Sequence, residues 1–544
     1  MKRLIILPLL LMTLSMGATK IYVATTGNDG TGDGTSGNPY LTIATGIANA
    51  SAGDTVFVRA GTYNVSTQIV LPVQVSLMGD GETSIITTGA ALNPMILAES
   101  PTEGTAGNQS ISYLKLDGNN LTALKAINFR CRSNVSIHHC TIVDFLNYGV
   151  GFWGQASGIE ATTYATGNSF HHNIMTNCAS YQTGAGSNPC LNVTSQTGFL
   201  IYSNYIEQSG RDPVTTNGQC IKAGPVKGLK IYDNILKGDV RNDRAAADNM
   251  QWCIEIWSQT TSEGTEIFDN KIYYSGVDFA GTGSIKGDYD FGVSLHDNWI
   301  GCPTLTAQKK YAVTIEGQGV GVNEILIYRN HFENMGTTII LNKYVGSTYK
   351  NIKVYNNIAN NIGVANAGWN GSYFFSSNDD VVCNVDSLFF DNNVIVGTSY
   401  QGALEAGGFN LPNYANVSVG SIFIRNNIIG NFYYYGIRAE NRGQIDALYA
   451  QNNIIYNVDT EISLAITPTL VVGVSPQTNI YSDPLFKSNE TFRLRPTSPA
   501  IDAGIDVGLT TDYWGHRIPQ GSAPDIGATE YGNYVLFYNG KQLY

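Results

Sequence analysis

The sequence predicts an all-β fold, a right-handed single-stranded parallel β-helix with a short N-terminal capping helix, on three observations. First, a six-residue phrase recurs with Asn at its fourth position: FHHNIM (170–175), IYSNYI (201–206), IYDNIL (231–236), IFDNKI (267–272), LHDNWI (295–300), IYRNHF (327–332), VYNNIA (354–359), FFDNNV (389–394), IRNNII (424–429) and AQNNII (450–455). The fixed position reads Asn173, Asn204, Asn234, Asn270, Asn298, Asn330, Asn357, Asn392, Asn427 and Asn453, and IHHCTI (137–142) places Cys140 there. Second, the ten intervals from 140 to 453 average about 31 residues, a period that marks a solenoid or array. Third, apolar residues flank each Asn three before and two after, in short β-rich runs punctuated by Gly, Asn, Asp and Ser. No amphipathic run of helix length separates the copies. A propeller blade would need four strands and a longer repeat, typically about 40 residues. One coil per repeat buries the apolar side chains and stacks each Asn on the Asn of the next coil, which satisfies the side-chain amides along the stack.

At the start, Lys2 and Arg3 precede an apolar run (4–14) and the small residues Ser15-Met16-Gly17. Residues 1–18 therefore read as a secretory signal, too short to span a bilayer. The expected mature protein is exported, extracellular or at the cell surface, with no membrane insertion. Residues 19–64 form the expected N-terminal cap and first coil. They comprise Ile21-Tyr22-Val23, a turn-rich stretch (25–39), a segment with helical spacing (41–50) and GDTVFVRAGTY (53–63). That last string resembles the first coil of secreted bacterial proteins of the pectate-lyase-like superfamily, in which a short helix covers the open end of the stack. An uncovered coil would expose strand edges and core. Residues 65–480 are the expected β-helix and 481–531 a closing region. Within the latter, SDPLF (482–486), FRL (492–494), SPAIDAG (498–504) and PDIGA (524–528) resemble the C-terminal close of the same exported proteins. The tail, 532–544, carries an NGK string similar to tails on β-helix proteins of bacterial viruses.

Composition narrows the partners. Charged residues make up 14% of the 544, Gly numbers 59, and Tyr (32) outnumbers Phe (20), as in a turn-rich secreted β protein. A net charge of −12 without a basic run argues against nucleic acid. Of eight cysteines, Cys190, Cys220 and Cys253 open strands at equivalent places in successive repeats. Neighbouring strands lie about 4.8 Å apart, within disulfide reach. Cys190–Cys220 or Cys220–Cys253 would staple adjacent coils, or the column stays as packed free thiols.

The strand that follows the longest insertions alternates in and out. CLNV directs Leu191 and Val193 inward and Asn192 outward; CIKA directs Lys222 outward. CIEIW directs Glu255 and Trp257 outward, and AVTIEG directs Thr314 and Glu316 outward. Asn192, Lys222, Glu255 and, past one irregular coil, Thr314 form a column on one face, with Glu405 and Arg438 on later coils. A charged column on a flat parallel face is where a β-helix would hold a sugar chain, so the expected partner is a polysaccharide. Insertions 207–219, 238–251 and 275–289 would wall this face and carry Arg211, Asp212, Asp239, Arg241, Asp243, Arg244, Asp248, Asp278, Lys286, Asp288 and Asp290.

Three chemistries fit. Uronate elimination needs a base, Lys222 or Lys286, and Ca²⁺ held by Asp239, Asp243 and Asp248 to acidify the proton removed. Hydrolysis needs two carboxylates, Glu255 with Glu316 or Asp288 with Asp290. Binding alone needs aromatics and polar groups, from Trp257, Trp252, Trp299, Asn192, Arg241, Arg244, Thr314 and Glu316. A polysaccharide lyase is the first reading; a carbohydrate-binding adhesin or phage tail-associated protein is the alternative. Each feature also has a plain structural reading. Lys222 and Glu255 would be an ion pair. The Asp-rich insertions would be solvated turns. His138-His139 and His171-His172 would be ladder residues rather than metal ligands. The Gly-His-Gly string that marks β-helix polygalacturonases is absent, so the resemblance implies fold and export without a reaction.

Overall fold

The computed structural model describes residues 19–154, 164–178, 189–207, 219–238, 252–258, 264–281, 288–303, 311–317, 321–342, 345–363, 372–377, 382–398, 406–411, 417–439, 444–465, 470–473, 477–532, 536–538 and 541–543. Over these the chain is a right-handed parallel β-helix. One sheet has 28 strands, a second has 14 and a third has three, and every pairing within them is parallel. In the second sheet the strands follow one another in chain order, so each coil adds one rung. A single coil shows the plan: Leu200–Tyr202, a turn at Asn204, Tyr205–Glu207, then Ile221–Ala223 in the second sheet. The chain then returns through Val226–Lys227 to Lys230–Tyr232, which pairs with its start.

The recurring Asn behaves as its spacing implies. Asn173 donates through Nδ2 to Asn204 Oδ1 at 3.1 Å, Asn204 to Asn234 at 2.9 Å, and so on through Asn270, Asn298, Asn330 and Asn357. Cys140 joins through its backbone N–H, 3.0 Å from Asn173 Oδ1. One rung differs from the sequence reading. The ladder passes through Asn393, not Asn392, bonded from Asn357 at 3.0 Å and on to Asn427 at 2.9 Å. Both frames satisfy the apolar spacing in FFDNNVI; the register of Phe390 with Val354 decides between them. Asn392 takes the corner before the rung with φ 53°, the left-handed value also found at Ser203, Asp233, Asp269, Asp297, Asn356, Asn426 and Asn452. Asn and Asp tolerate that conformation better than most residues, which explains the acidic or polar residue before each rung. The ladder also runs one coil further, to Asn479.

On the outer side of the same repeats, the residues two before each ladder position stack as rings. His138, His171, Tyr202, Tyr232, Phe268, His296, Tyr328 and Tyr355 form one column with centroids 4.6–5.2 Å apart. The apolar residues of all three faces meet in a continuous core.

Near the N-terminus, a helix spans Ile43–Ala48, shorter than the 41–50 spacing suggested. Thr42 caps it by accepting from the Thr45 N–H. Buried Ile43 and Ile47 face the first strands, and Gly46 lets the helix approach: a Cβ there would lie 2.6 Å from Val23. At the other end, Phe492, Leu494, Ala500, Ile526 and Ala528 pack on Val394, Ile428 and Ile454 in a second cluster. Corner asparagines hold this segment: Asn356, Asn426 and Asn452 donate to the carbonyls of Thr511, Ile505 and Ala503. It therefore runs back down the side of several coils.

Within that segment, burial pushes the Asp525 carboxyl up to about 6 and the Glu530 carboxyl up to about 7, against the backbone N–H groups they accept. The folded chain thus keeps protons that the unfolded chain releases near pH 4. Stability should fall as pH rises from about 4 to about 7, by on the order of 2–4 kcal/mol. The histidine column acts oppositely: burial holds His138 and His139 below their ordinary range and His171 at about 4, which costs stability as pH falls. Chemical denaturation across this range should show Glu530→Gln removing about half of the carboxylate slope; an unchanged slope refutes the assignment.

All eight cysteines are buried free thiols, so no staple joins Cys190, Cys220 and Cys253. Burial raises the thiols of Cys140 and Cys178 to about 12 and Cys190 well above its usual range. A thiol reagent should react with eight groups after denaturation and with essentially none before. Fewer than eight in the denatured, unreduced chain would reveal a disulfide.

Candidate functional site

The register of the second sheet assembles one column from the residues that face away from the core: Asn128, Gly151, Asn192, Lys222, Glu255, Asp278, Thr314, Ile340 and Ser376. Asn410 and Arg438 stand at matching places further on. Their neighbours Ile221, Ile254, Val277 and Val313 enter the core. The expected set Asn192, Lys222, Glu255 and Thr314 is therefore brought together, with Glu316 one rung above Ala280.

Two features differ from expectation. The irregular coil between Glu255 and Thr314 supplies its own rung, because Asp278 lies in the strand Gly276–Gly281 and not in an insertion. Its two glycines hide the strand, and the inward pair Val277 and Phe279 was the signal that flanked it. In addition, the column is not solvent-facing throughout. Glu255, Asp278, Thr314 and Glu316 are 2%, 0%, 0% and 3% exposed, and Asn192 is 7%. Lys222 and Trp257 keep partial exposure.

The contacts are charged and aromatic. Lys222 Nζ lies 3.0 Å from Glu255 Oε1 and 4.0 Å from the Trp257 ring centroid. Gln219 Nε2 donates to Glu255 Oε2 at 2.5 Å, so both carboxylate oxygens are held. Asn342 Nδ2 donates to Glu316 Oε1 at 2.6 Å, and Trp252 Nε1 to Thr314 Oγ1 at 3.1 Å. Asp278 differs: among the described residues neither of its buried oxygens has a hydrogen-bond partner. Burial, then the charges of Glu316 and Glu255, push it well above the usual carboxylate range, opposed by Lys222. Burial also raises Glu255, against the pull of Lys222. Burial and the neighbouring carboxylates therefore favour the protonated form of Asp278, beside a lysine-paired Glu255.

Other candidates fall elsewhere. Trp299 lies in the 28-stranded sheet, donating to Glu333 at 3.2 Å, away from this column. The strand Asp288–His296, which carries Asp288 and Asp290, also belongs to that sheet. His138 and His139 stack 5.0 and 4.9 Å over His171 and His172, and among the described residues no group of three or more ligating side chains could hold a metal. Arg211, Asp212, Asp239, Arg241, Asp243, Arg244, Asp248, Lys286 and Glu405 lie outside the described residues.

The family described as "protein of unknown function (DUF1565)" matches residues 25–251. No curated protein sequence matches the chain. Among solved structures, the tailspike protein of E. coli bacteriophage HK620 in complex with pentasaccharide superposes with a TM-score of 0.51 at 12% identity, over 79% of this chain and 77% of that chain. A mutant of it, also with pentasaccharide, gives a TM-score of 0.55 at 13% identity over the same shares. An alginate lyase from Paenibacillus gives 0.38 at 13% identity, over 57% of this chain and 95% of the lyase. At these identities the tailspike likeness speaks for a shared fold.

Proposed function

We propose that this chain is an exported β-helix whose second sheet engages a polysaccharide and hydrolyses a glycosidic bond there. The observation that carries the reading is Asp278, a buried carboxyl with no partner on either oxygen among the described residues, one rung from Glu255. In this reading the sugar displaces the groups that cover Asp278 and Glu255, 0% and 2% exposed. Asp278 then protonates the departing glycosidic oxygen while Glu255, oriented by Lys222 and Gln219, attacks the anomeric carbon. Water then cleaves the glycosyl–Glu255 bond, with Asp278 as base taking its proton. Adjacent parallel strands about 4.8 Å apart suit the short carboxylate separation, ~5–5.5 Å, of hydrolases that retain configuration. Trp257, partly exposed beside Lys222, offers a sugar an aromatic face. That the tailspike is seen with a pentasaccharide supports a glycan as the ligand class.

The rival is elimination from a uronate chain, with Lys222 or Lys286 as base and calcium on Asp239, Asp243 and Asp248. At Lys222 it would need an ammonium 3.0 Å from Glu255 to lose its proton, and an acidic polymer to settle near the carboxylates of Glu255 and Glu316. Both requirements favour hydrolysis. Incubation with neutral and uronic-acid polysaccharides tests the choice. New reducing ends without ultraviolet absorbance of an unsaturated sugar support hydrolysis; that absorbance, lost with a calcium chelator, would establish the lyase. Retention of polymer without cleavage would make the chain a binder.

A further inference from the structure

Three coils before Glu255, the same face carries groups that bond cleavage leaves unused. Gly151 stands in the column between Asn128 and Asn192. A Cβ on Gly151 would lie 2.0 Å from Trp153 Nε1 and 2.9 Å from Asn128 Oδ1. The glycine thus lets the indole edge and the amide oxygen come together over bare backbone. Tyr148 meets the indole edge-to-face, with centroids 5.9 Å apart at 75°. Among the described residues, Trp153 Nε1, Asn128 Oδ1 and Asn192 Oδ1 are all buried without a hydrogen-bond partner. Asn192 is itself more than nine-tenths buried. One donor and two acceptors on three successive rungs are therefore unsatisfied by the described residues, although buried polar atoms are nearly always paired.

A pyranose ring matches what is missing. Its hydroxyls both accept and donate, so they can pair with an indole N–H and amide oxygens, while its C–H face suits an aromatic surface. The spacing points the same way. Trp153, the strand at Asn192, the strand at Lys222 and the strand at Glu255 are consecutive rungs. Three rungs span ~14 Å at the ~4.8 Å strand spacing, a step close to the length of one hexose. We infer that Trp153, Asn128 and Asn192 form a distal sugar-anchoring subsite, so that the site favours glycan chains of four or more residues lying along the helix axis. This rests on the hydrolytic reading above, and gives its substrate a minimum length and a direction.

The test uses the full chain carrying Glu255→Gln, which slows turnover. It is probed with cello-, xylo-, malto-, chito- and galacturono-oligosaccharides from disaccharide to hexasaccharide. For the class that binds, affinity should step up between trisaccharide and tetrasaccharide. Adding Trp153→Ala should abolish the step and weaken the longer chains roughly tenfold, whereas Trp153→Phe, which keeps an aromatic ring but loses the indole N–H, should retain only part of it. Thermal melting verifies that both variants remain folded. Unchanged affinity for the longer chains in folded Trp153→Ala overturns the subsite while leaving the hydrolytic reading standing. Failure to bind any glycan of any length overturns both.

Discussion

Replacing Glu255 with Gln is expected to lower kcat/KM on the cleaved polysaccharide by roughly 10³-fold or more, with polymer binding retained. The amide keeps the shape and can still accept a hydrogen bond from Lys222, now 3.0 Å from the carboxylate, but it cannot bond covalently to the sugar. A second consequence separates chemistry from a loss of fold. The Glu255 charge helps hold the proton on Asp278. Removing it lets that proton leave more readily, so the alkaline limb of the pH–rate profile of the residual activity should move to lower pH. Asp278→Asn should also abolish activity, and because no described residue donates to either Asp278 oxygen, the uncharged amide should leave stability little changed. Product analysis completes the test: proton magnetic resonance during the first turnovers should show the anomer of the substrate. Initial release of the opposite anomer would exclude Glu255 as nucleophile, and full activity in Glu255→Gln would remove the carboxylate mechanism altogether.

How far the sequence reveals this site depends on which forces the chain displays locally. The coil, the ladder and the column of Asn192, Lys222, Glu255 and Thr314 were legible because inward and outward positions alternate with period two, and apolar residues mark the inward ones. Asp278 reads as part of the insertion 275–289 rather than as a rung because Gly276, Ala280 and Gly281 dilute that contrast. Burial was not legible at all. Alternation tells which side of a sheet a residue faces, yet not what covers that side, so Glu255 at 2% exposure reads in sequence like an open surface group. Trp153 was missed for a related reason. Its meaning lies in the absence of a side chain at Gly151, and a glycine in a strand reads first as a weak point. At 389–394 two frames fit the same letters, and only contacts between coils choose between them.

That ambiguity yields the second large effect. Asn393→Ala should destabilise the fold by about 3–5 kcal/mol, whereas Asn392→Gly, one residue away, should cost less than about 1 kcal/mol. Asn393 is fully buried. Its Nδ2 donates to the Val354 carbonyl and to Asn427 Oδ1, each at 2.9 Å, and its Oδ1 accepts from the backbone N–H and the side chain of Asn357, each at 3.0 Å. Alanine leaves the Asn357 donors and the Val354 carbonyl short of partners where water cannot replace them, and each orphan costs about 1–3 kcal/mol. Asn392 has φ 53°, which glycine adopts without strain, and among the described residues its side chain only accepts from Asn426, which keeps its bond to the Ile505 carbonyl. Denaturant unfolding of the two variants gives the comparison directly. The damage should also be local at first, since each coil touches only its neighbours. Amide exchange in Asn393→Ala should therefore quicken around residues 354–363 and 417–430 before it does near the N-terminal coils. Equal losses in the two variants, or the larger one in Asn392→Gly, would return the rung to Asn392 and break the ladder between Asn357 and Asn427.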